Sequence, residues 1–386
     1  MDGCWASYSF IYWPFMANHD SFIIFVEQKP FVMIDSIAIK NFKSIENLDF
    51  SLGRVNVLIG ANGSGKSNIL EALAMVAAKN GNRVDLDSMA QRGVRIAMPE
   101  LMVNSFYGKQ TSSYITVEMD DGRYYARYRM SEYAEDDIYT PWQVSCRSNL
   151  PEEDMLYAFE QYYSRYAIYS SSVDALRGLS VTSKMYPLGL HGEGLDVLLY
   201  QMSRDELEEV SRIASRYISW LEDLVYDTEG EMKYRGYKLG RSSSNLYFND
   251  RFMQKRNRFF SAENANEGAL ILLFYLVLMI SKATPKFFAI DNIDSGLNPR
   301  LCRALMKELP SLAREYSKQV IITTHNPAML DGLRLGDEET RLYAVERSDS
   351  GSTLMNEIRV KPSSERRMKL SEMWMNGLIG GVPEEF

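Results

Sequence analysis

The residues with the clearest chemical potential lie at positions 60–67, which read Gly-Ala-Asn-Gly-Ser-Gly-Lys-Ser and fit the pattern G-x-x-x-x-G-K-[ST]. Glycines at this spacing let successive backbone N–H groups turn inward around an anion. Lys66 can then reach the β- and γ-phosphates of a nucleotide, and the Ser67 hydroxyl can bind Mg²⁺. We therefore predict a site for a nucleoside triphosphate and Mg²⁺. The residues predicted to contact the nucleotide here are Gly60, Asn62, Gly63, Ser64, Gly65, Lys66, Ser67 and Asn68.

The segments on either side of this loop support the prediction. A short apolar run at 54–60 is typical of a buried parallel strand. The apolar spacing from Asn68 to Lys79 predicts a helix. A helix that begins directly after the glycines points its positive N-terminal end at the phosphates.

Two later apolar runs end in residues that can act on the phosphates. Residues 286–290 are followed by Asp291, which we predict to hold Mg²⁺, and residues 319–324 are followed by His325. In open α/β sheets, ligands bind outside the carboxyl ends of the strands. We therefore predict that His325 lies beside the γ-phosphate and senses it.

The order of the predicted elements indicates the fold class. Strands alternate with helices, which predicts an α/β fold with a parallel sheet. The Asp120-Asp121-Gly122 turn predicts a hairpin between two strands. The remaining predicted elements are strands around a turn in 36–50 and helices at 152–166, 205–226 and 267–280.

Composition places the chain among globular proteins. It has 386 residues, of which 46% are hydrophobic and 24% charged. Its net charge of −8 argues against coating nucleic acid by charge alone, although a local basic groove stays open. The three cysteines are expected to be free thiols in a reducing cytosol. No apolar run is long enough to span a membrane, so we expect a cytoplasmic protein without a membrane partner.

The first 33 residues are expected to be an extension. They carry no Lys or Arg before Lys29 and no small-residue cleavage site, so they do not fit a secretory signal. Met33 opens a phrase that predicts a first strand. We therefore hypothesise that translation starts at Met33.

Taken in order, these motifs resemble the ATP-binding-cassette (ABC) ATPases of the RecF/SMC/OLD-like group, and most of all the compact AAA-family ATPases of bacterial anti-phage operons. The phrase at 39–45, with Asn41 and Lys43, is similar to their opening strand and turn. Residues 264–270 resemble their signature motif. The resemblance covers roughly 34–130 and 255–386. It implies ATP and Mg²⁺ as cofactors, with further nucleotide contacts from Asn41, Lys43, Gln91, Asn266, Glu267 and Gly268. The alternative interpretation of Gln91 is an ordinary surface residue in a loop.

The resemblance also implies an organisation. We expect a P-loop ABC-ATPase head with a mixed sheet, formed by 34–130 and 255–350, with a mainly helical lobe inserted at 131–254 and a tail at 351–386 packed on the head. In this group the signature of one subunit completes the ATP site of another, so an ATP-dependent dimer or higher oligomer is implied. We expect no Toprim nuclease domain, because about 60 residues follow His325.

One position departs from the group's pattern. Relatives place Glu after the Mg²⁺-binding Asp, to activate the attacking water, and this chain has Asn292. Asn cannot accept a proton, and loss of a general base costs about 10²–10⁴-fold in rate. We therefore predict a slow ATPase, with Asp294 as the alternative base.

Three functions remain open at this stage. The first is an ATP-dimerised sensor or scaffold that controls an operon-encoded effector, a toxin or nuclease, in anti-phage defence. The second is a RecF-like DNA-repair ATPase that binds nucleic acid, and the third is an ATP clamp that does not hydrolyse.

Overall fold

The computed structural model describes residues 33–106, 113–132, 139–180, 188–227, 229–234, 242–255, 257–335, 339–360 and 368–382. Residues 33–386 form one compact unit. The predicted extension at 1–33 lies outside the described residues, except for Met33.

The described strands alternate with helices along the chain. The strands are β1 (Ser36–Phe42), β2 (Ile45–Ser51), β3 (Val55–Ile59), β4 (Lys79–Asn80), β5 (Arg83–Val84), β6 (Tyr114–Asp120), β7 (Tyr125–Glu132), β8 (Trp142–Ser148), β9 (Ile168–Tyr169), β10 (Leu221–Tyr226), β11 (Leu246–Asp250), β12 (Phe259–Ser261), β13 (Phe287–Ile290), β14 (Gln319–Thr323), β15 (Thr340–Arg347) and β16 (Thr353–Glu357). The helices are α1 (Lys66–Ala77), α2 (Leu86–Ala90), α3 (Pro99–Met102), α4 (Glu153–Tyr163), α5 (Val173–Leu176), α6 (Leu195–Gln201), α7 (Arg204–Tyr217), α8 (Glu231–Tyr234), α9 (Glu267–Ile280), α10 (Pro299–Glu315), α11 (Pro327–Leu330) and α12 (Leu370–Met375).

The sheet that carries the site has six strands in the order β16-β15-β3-β14-β13-β9. Five of them run parallel, and β16 pairs antiparallel with β15 at one edge. The residues of β3, β13 and β14 are all buried. These continuous apolar runs suit strands covered on both faces, as the sequence predicted.

Two antiparallel sheets flank this core. One has seven strands in the order β2-β1-β6-β7-β8-β5-β4, and the other has three in the order β10-β11-β12. The predicted hairpin at Asp120-Asp121-Gly122 joins β6 to β7. Gly122 has a φ of 85°, a conformation that glycine adopts without strain.

Helix α9 lies at the centre of the hydrophobic core. Every residue from Ala269 to Ile280 is buried. A helix that is apolar all round can only be stable inside a protein or a membrane. Here α9 shares one core cluster with β3, α7 and α10, and no described helix is long and apolar enough to cross a membrane.

The structure differs from the prediction in the segment 131–254. We expected a mainly helical inserted lobe, but this segment supplies strands to all three sheets, among them β8, β9 and β10. The predicted helix at 205–226 ends at Tyr217, and Leu221–Tyr226 is a strand paired with β11. The cause is long-range pairing, because the partner strand begins 20 residues after Tyr226 and no Gly or Pro marks the end of the helix.

Candidate nucleotide-binding site

The loop that follows β3 is shaped by its glycines. Gly60, Gly63 and Gly65 have φ values of 151°, 78° and 110°. A Cβ on Gly60 would lie 2.1 Å from the Val345 carbonyl oxygen, and one on Gly65 would lie 2.1 Å from Thr353 Oγ1. The loop therefore needs glycine at these two positions for space as well as for backbone conformation.

Lys66 is the first residue of α1 and is only 5% exposed. Its Nζ donates to the carbonyl oxygens of Gly60 and Ala61, each at 2.8 Å. Burial lowers the pKa of Lys66 to about 8, although Asp291 and Asp294 act in the opposite direction. In the described part of the chain no side chain caps the start of α1, so its first N–H groups are available to an anion.

The strand ends bring together the oxygen atoms that suit a magnesium ion. Ser67 Oγ donates to Asp291 Oδ2 at 3.1 Å, and Thr323 Oγ1 donates to Asp291 Oδ1. Mg²⁺ prefers hydroxyl, carboxylate and phosphate oxygens and keeps several waters. The donor set at Ser67 and Asp291 therefore fits Mg²⁺ beside a nucleotide.

Asn292 turns the chain sharply after β13. It has a φ of 54°, in the left-handed region that Asn tolerates better than most residues, and its side chain is exposed. Its N–H donates to Thr323 Oγ1 at 2.8 Å. This threonine therefore links Asp291 and Asn292 to the end of β14.

Asp294 fixes the segment that carries His325. Its Oδ1 accepts hydrogen bonds from Thr324 Oγ1 at 2.6 Å and from the His325 N–H at 3.2 Å. Burial and the Lys66 ammonium lower the pKa of His325, while Asp294 and Asp291 act in the opposite direction. The imidazole is therefore mainly neutral at pH 7, and it lies at the sheet edge with the predicted Mg²⁺ ligands.

The turn between β1 and β2 packs against the helix that follows the P-loop. Asn41 and Lys43 have φ values of 63° and 47°. Asn41 Nδ2 donates to the Tyr114 carbonyl at 2.6 Å, and Lys43 pairs with Glu71, which is 2% exposed. These contacts give both residues a structural role, and their contact with the nucleotide stays a prediction.

Arg95, and not the predicted Gln91, contacts helix α1 after the P-loop. Arg95 Nε lies 2.5 Å from Glu71 Oε1, and its Nη2 donates to Asn68 Oδ1 at 3.0 Å. Gln91 is exposed at the end of α2, and its side chain has no polar contact with the P-loop among the described residues. Neither Arg95 nor Glu71 belongs to a motif that the sequence analysis identified.

The predicted signature segment begins α9. Asn266 Oδ1 accepts a hydrogen bond from the Ala269 N–H at 3.3 Å, as an N-cap does. Glu267 is more than half exposed and lies 3.9 Å from Arg177. Arg177 also donates to the Ala265 carbonyl at 3.2 Å. Arg177 thus supports this segment from the middle of the chain, and Gly268 lies in the first turn of the helix.

Residues near the C-terminus contact the P-loop. Thr353 Oγ1 donates to the Ser64 carbonyl at 3.1 Å and lies 2.7 Å from Ser44 Oγ. The Gly381 N–H donates to Glu346 Oε1 at 2.6 Å, and a Cβ on Gly381 would lie 3.2 Å from the Gly60 Cα. A cavity of about 460 Å³ lies between residues 61–64, 345–347 and 381–382. Thr353 and Gly381, which belong to the segment expected to be a tail on the head, therefore lie beside the P-loop together with residues 345–347.

Two family models match the chain. Residues 33–175 match the model of the AAA ATPase domain. Residues 201–331 match a second AAA-domain model, whose description names an AbiEii toxin and a type IV toxin–antitoxin system. Both halves of the site therefore lie in regions that match models of AAA-type ATPase domains.

Curated relatives share this region. Septu protein PtuA of Bacillus mycoides is 25% identical over 333 residues, which cover 81% of this chain and 41% of PtuA. The DNA replication and repair protein RecF of Listeria monocytogenes is 40% identical over 55 residues, which cover 14% of this chain and 15% of RecF. The chain thus spans less than half the length of these relatives.

Solved structures show the same fold. The SMC head domain from Thermotoga maritima matches 85% of this chain and 99% of its own with a TM-score of 0.51 and 14% identity. An Smc head bound to the C-winged helix domain of ScpA matches with a TM-score of 0.52 and 20% identity, over 85% of this chain and 98% of its own. The predicted α/β ABC-type head is confirmed. With these matches and this site, the chain has an SMC-head-like α/β fold and resembles the ABC-type ATPases of bacterial defence systems.

Proposed function

We propose that this chain binds ATP with Mg²⁺, forms an ATP-dependent dimer and controls a partner effector protein, while hydrolysing ATP slowly. One observation carries the proposal. Ser67 and Asp291 are joined at 3.1 Å at the end of the P-loop, and the residue after Asp291 is an asparagine. The arrangement suits binding of Mg²⁺ and ATP better than rapid cleavage.

The P-loop supports ATP binding through charge. Among the residues that the structure describes, the hydrogen-bond partners of the buried Lys66 ammonium are neutral carbonyl oxygens. Phosphate oxygens would give it an anionic partner and would raise its pKa again. The free N–H groups at the start of α1 add to the same attraction.

The exposed start of α9 supports dimerisation. Asn266 and Glu267 are exposed, and the segment is held by Arg177. The P-loop is not among the described hydrogen-bond partners of this segment. Such a surface is available to the ATP site of a second copy, as the resemblance to ABC ATPases implies.

Slow hydrolysis follows from the groups around the water position. Asn292 has no proton-accepting carboxylate, and Asp294 Oδ1 already accepts two hydrogen bonds. A rate lower by about 10²–10⁴-fold would keep the ATP-bound dimer intact for longer. A long-lived dimer suits a sensor that holds an effector until a signal arrives.

The proposed role in anti-phage defence rests on similarity. The match to Septu protein PtuA covers 81% of this chain, and the description of the second family model names a toxin–antitoxin system. Fold alone does not give a biological role. The effector would be encoded beside this gene, and a cytoplasmic location would suit both proteins.

The RecF matches favour a second candidate, an ATPase that binds DNA. The loop between β11 and β12 adds an observation, since Arg251, Phe252 and Lys255 are exposed on it. Cations and an aromatic ring together suit nucleic acid. Duplex binding that weakens steeply with salt would support this candidate.

Two measurements test the leading proposal. Light scattering should show that ATP and Mg²⁺ convert the wild-type chain from monomer to dimer, whereas Lys66→Ala should stay monomeric. Lys282→Ala removes an exposed lysine and serves as the matched control. A pull-down should then recover the product of the neighbouring gene with the wild type. If neither dimer formation nor recovery of the partner depends on ATP, the proposal is refuted.

A further inference from the structure

A basic groove of about 770 Å³ lies between α10, α11 and α12. Arg303 and Lys307 line it from α10, one turn apart, and Arg334 and Lys369 line it from the segments after α11 and before α12. All four side chains are exposed. None of them forms an ion pair with a carboxylate among the residues that the structure describes.

The carboxylates of the groove are already engaged. Asp331 Oδ1 accepts the Ser371 N–H at 3.2 Å, and Glu372 Oε2 accepts the Lys369 N–H at 3.1 Å. Both acids therefore stabilise the start of α12, and their two negative charges offset only half of the four positive charges in the described lining. An excess of positive charge faces the groove in a chain whose net charge is −8.

We propose that this groove binds an acidic segment of a partner protein, one that carries Asp or Glu residues next to an apolar side chain. Charge complementarity supplies the first requirement. Partly exposed Met368 and Tyr217 supply the second, because each presents apolar surface to the same groove. Nucleic acid fits less well, because four cations make few phosphate contacts.

The three helices connect the groove to the nucleotide site. Helix α10 begins directly after the loop that contains Asp294, and α11 begins two residues after His325. Asn326 Nδ2 contacts Cys302 Sγ at 3.6 Å and so joins the starts of these two helices. The chain that leaves α12 returns to the P-loop, where Gly381 packs on Gly60.

Gly332 makes the contact between α10 and α11 close. A Cβ on Gly332 would lie 2.4 Å from the Arg303 carbonyl oxygen and 2.8 Å from Met306 Cβ. Such tight packing transmits shifts between helices, because it leaves little room for them to move independently. Binding in the groove should therefore be coupled to ATP, and this coupling rests on the function proposed above.

The test uses the full chain and a fluorescein-labelled peptide of Asp, Glu and Leu residues, followed by fluorescence anisotropy. Arg303→Glu/Lys307→Glu should weaken peptide binding by about tenfold or more. The control Arg123→Glu/Arg147→Glu changes two exposed arginines of the seven-stranded sheet, one in the turn before β7 and one on β8. This variant should bind the peptide as the wild type does. Arg303→Gln/Lys307→Gln, with a thermal unfolding scan, separates lost binding from lost folding.

Each possible result either supports or overturns the proposed binding of an acidic segment in the groove. Loss in both groove variants, with folding intact and the control unchanged, supports the proposal. Equal binding by all variants, or no binding by the wild type, overturns it, as does a groove variant that loses duplex DNA but keeps the peptide. A fluorescent ATP analogue measured in parallel tests the proposed function separately. ATP should change the affinity of the wild type for the peptide and leave that of Lys66→Ala unchanged.

Discussion

Replacing Asn292 with glutamate tests the reasoning about slow hydrolysis most directly. An ordinary enzyme turns over at about 10 s⁻¹, and absence of the general base lowers this by about 10²–10⁴-fold. The wild type should therefore hydrolyse ATP at about 10⁻³–10⁻¹ s⁻¹. Asn292→Glu should recover about two to four powers of ten, which corresponds to about 3–5 kcal/mol in the activation barrier.

The backbone conformation at position 292 makes glutamate less favourable there than asparagine, and so lowers the stability of the variant. Asn292 has a φ of 54°, and a residue other than Gly or Asn adopts that conformation at a cost of about 1–2 kcal/mol. The cost should appear as reduced stability in urea. Asn292→Gln is the matched control, because it carries the same strain and the same side-chain length but cannot accept the proton.

The assay is phosphate release at saturating ATP and Mg²⁺, with light scattering to follow the dimer. The glutamate variant should consume ATP and then dissociate, whereas the wild type and the glutamine variant should remain dimeric. Turnover of the wild type at about 1–10³ s⁻¹, or equal rates for the two variants, would refute the assigned role of Asn292.

Three further outcomes are expected. Gly65→Ala should destabilise the chain by about 1–3 kcal/mol more than Gly63→Ala in urea, because both have positive φ but only the Gly65 Cβ would overlap Thr353; equal losses would contradict this. Asp291→Asn should raise the Mg²⁺ concentration needed for half-maximal hydrolysis by about tenfold without changing metal-free ATP binding, as a titration would show; an unchanged Mg²⁺ requirement would remove Asp291 from the metal site. Burial lowers the pKa of Lys318 from 10.5 to about 7, so the unfolded chain binds the extra proton between these values and the free energy of unfolding should rise with pH there. Lys318→Met should flatten that rise between pH 7 and 9, and parallel curves for the two proteins would show that Lys318 is not its source.

The fold was predictable where local pattern and burial agree. The runs that became β3, β13 and β14 are short, apolar and followed by polar residues, and each lies in the buried parallel sheet. The strand β10 was missed, because the helical pattern of α7 continues into it and only pairing with β11 shows its true state. When pairing with a distant strand determines where a helix ends and a strand begins, the sequence of the segment itself does not show that boundary.

The site was predictable where a motif carries its own spacing. Lys66 and Asp291 follow from such motifs. Glu71, Arg95 and Thr323 do not, because their importance depends on contacts with residues far away in the chain. A buried carboxylate on an apolar helix was the available signal for Glu71, and its partners could not be read from the sequence.

The contact between Thr353 and Ser64 has a consequence for synthesis of the chain. The two residues are 289 positions apart, and β3 lies between β14 and β15, which are made late. At about 5–20 residues per second, a ribosome needs roughly 15–60 s to make the intervening segment. For most of that time, until β14 is made, the apolar strand before the P-loop has no neighbouring strand in its sheet. The newly made N-terminal half therefore exposes an apolar strand that the finished fold buries, and ATP can stabilise the complete site only near the end of translation.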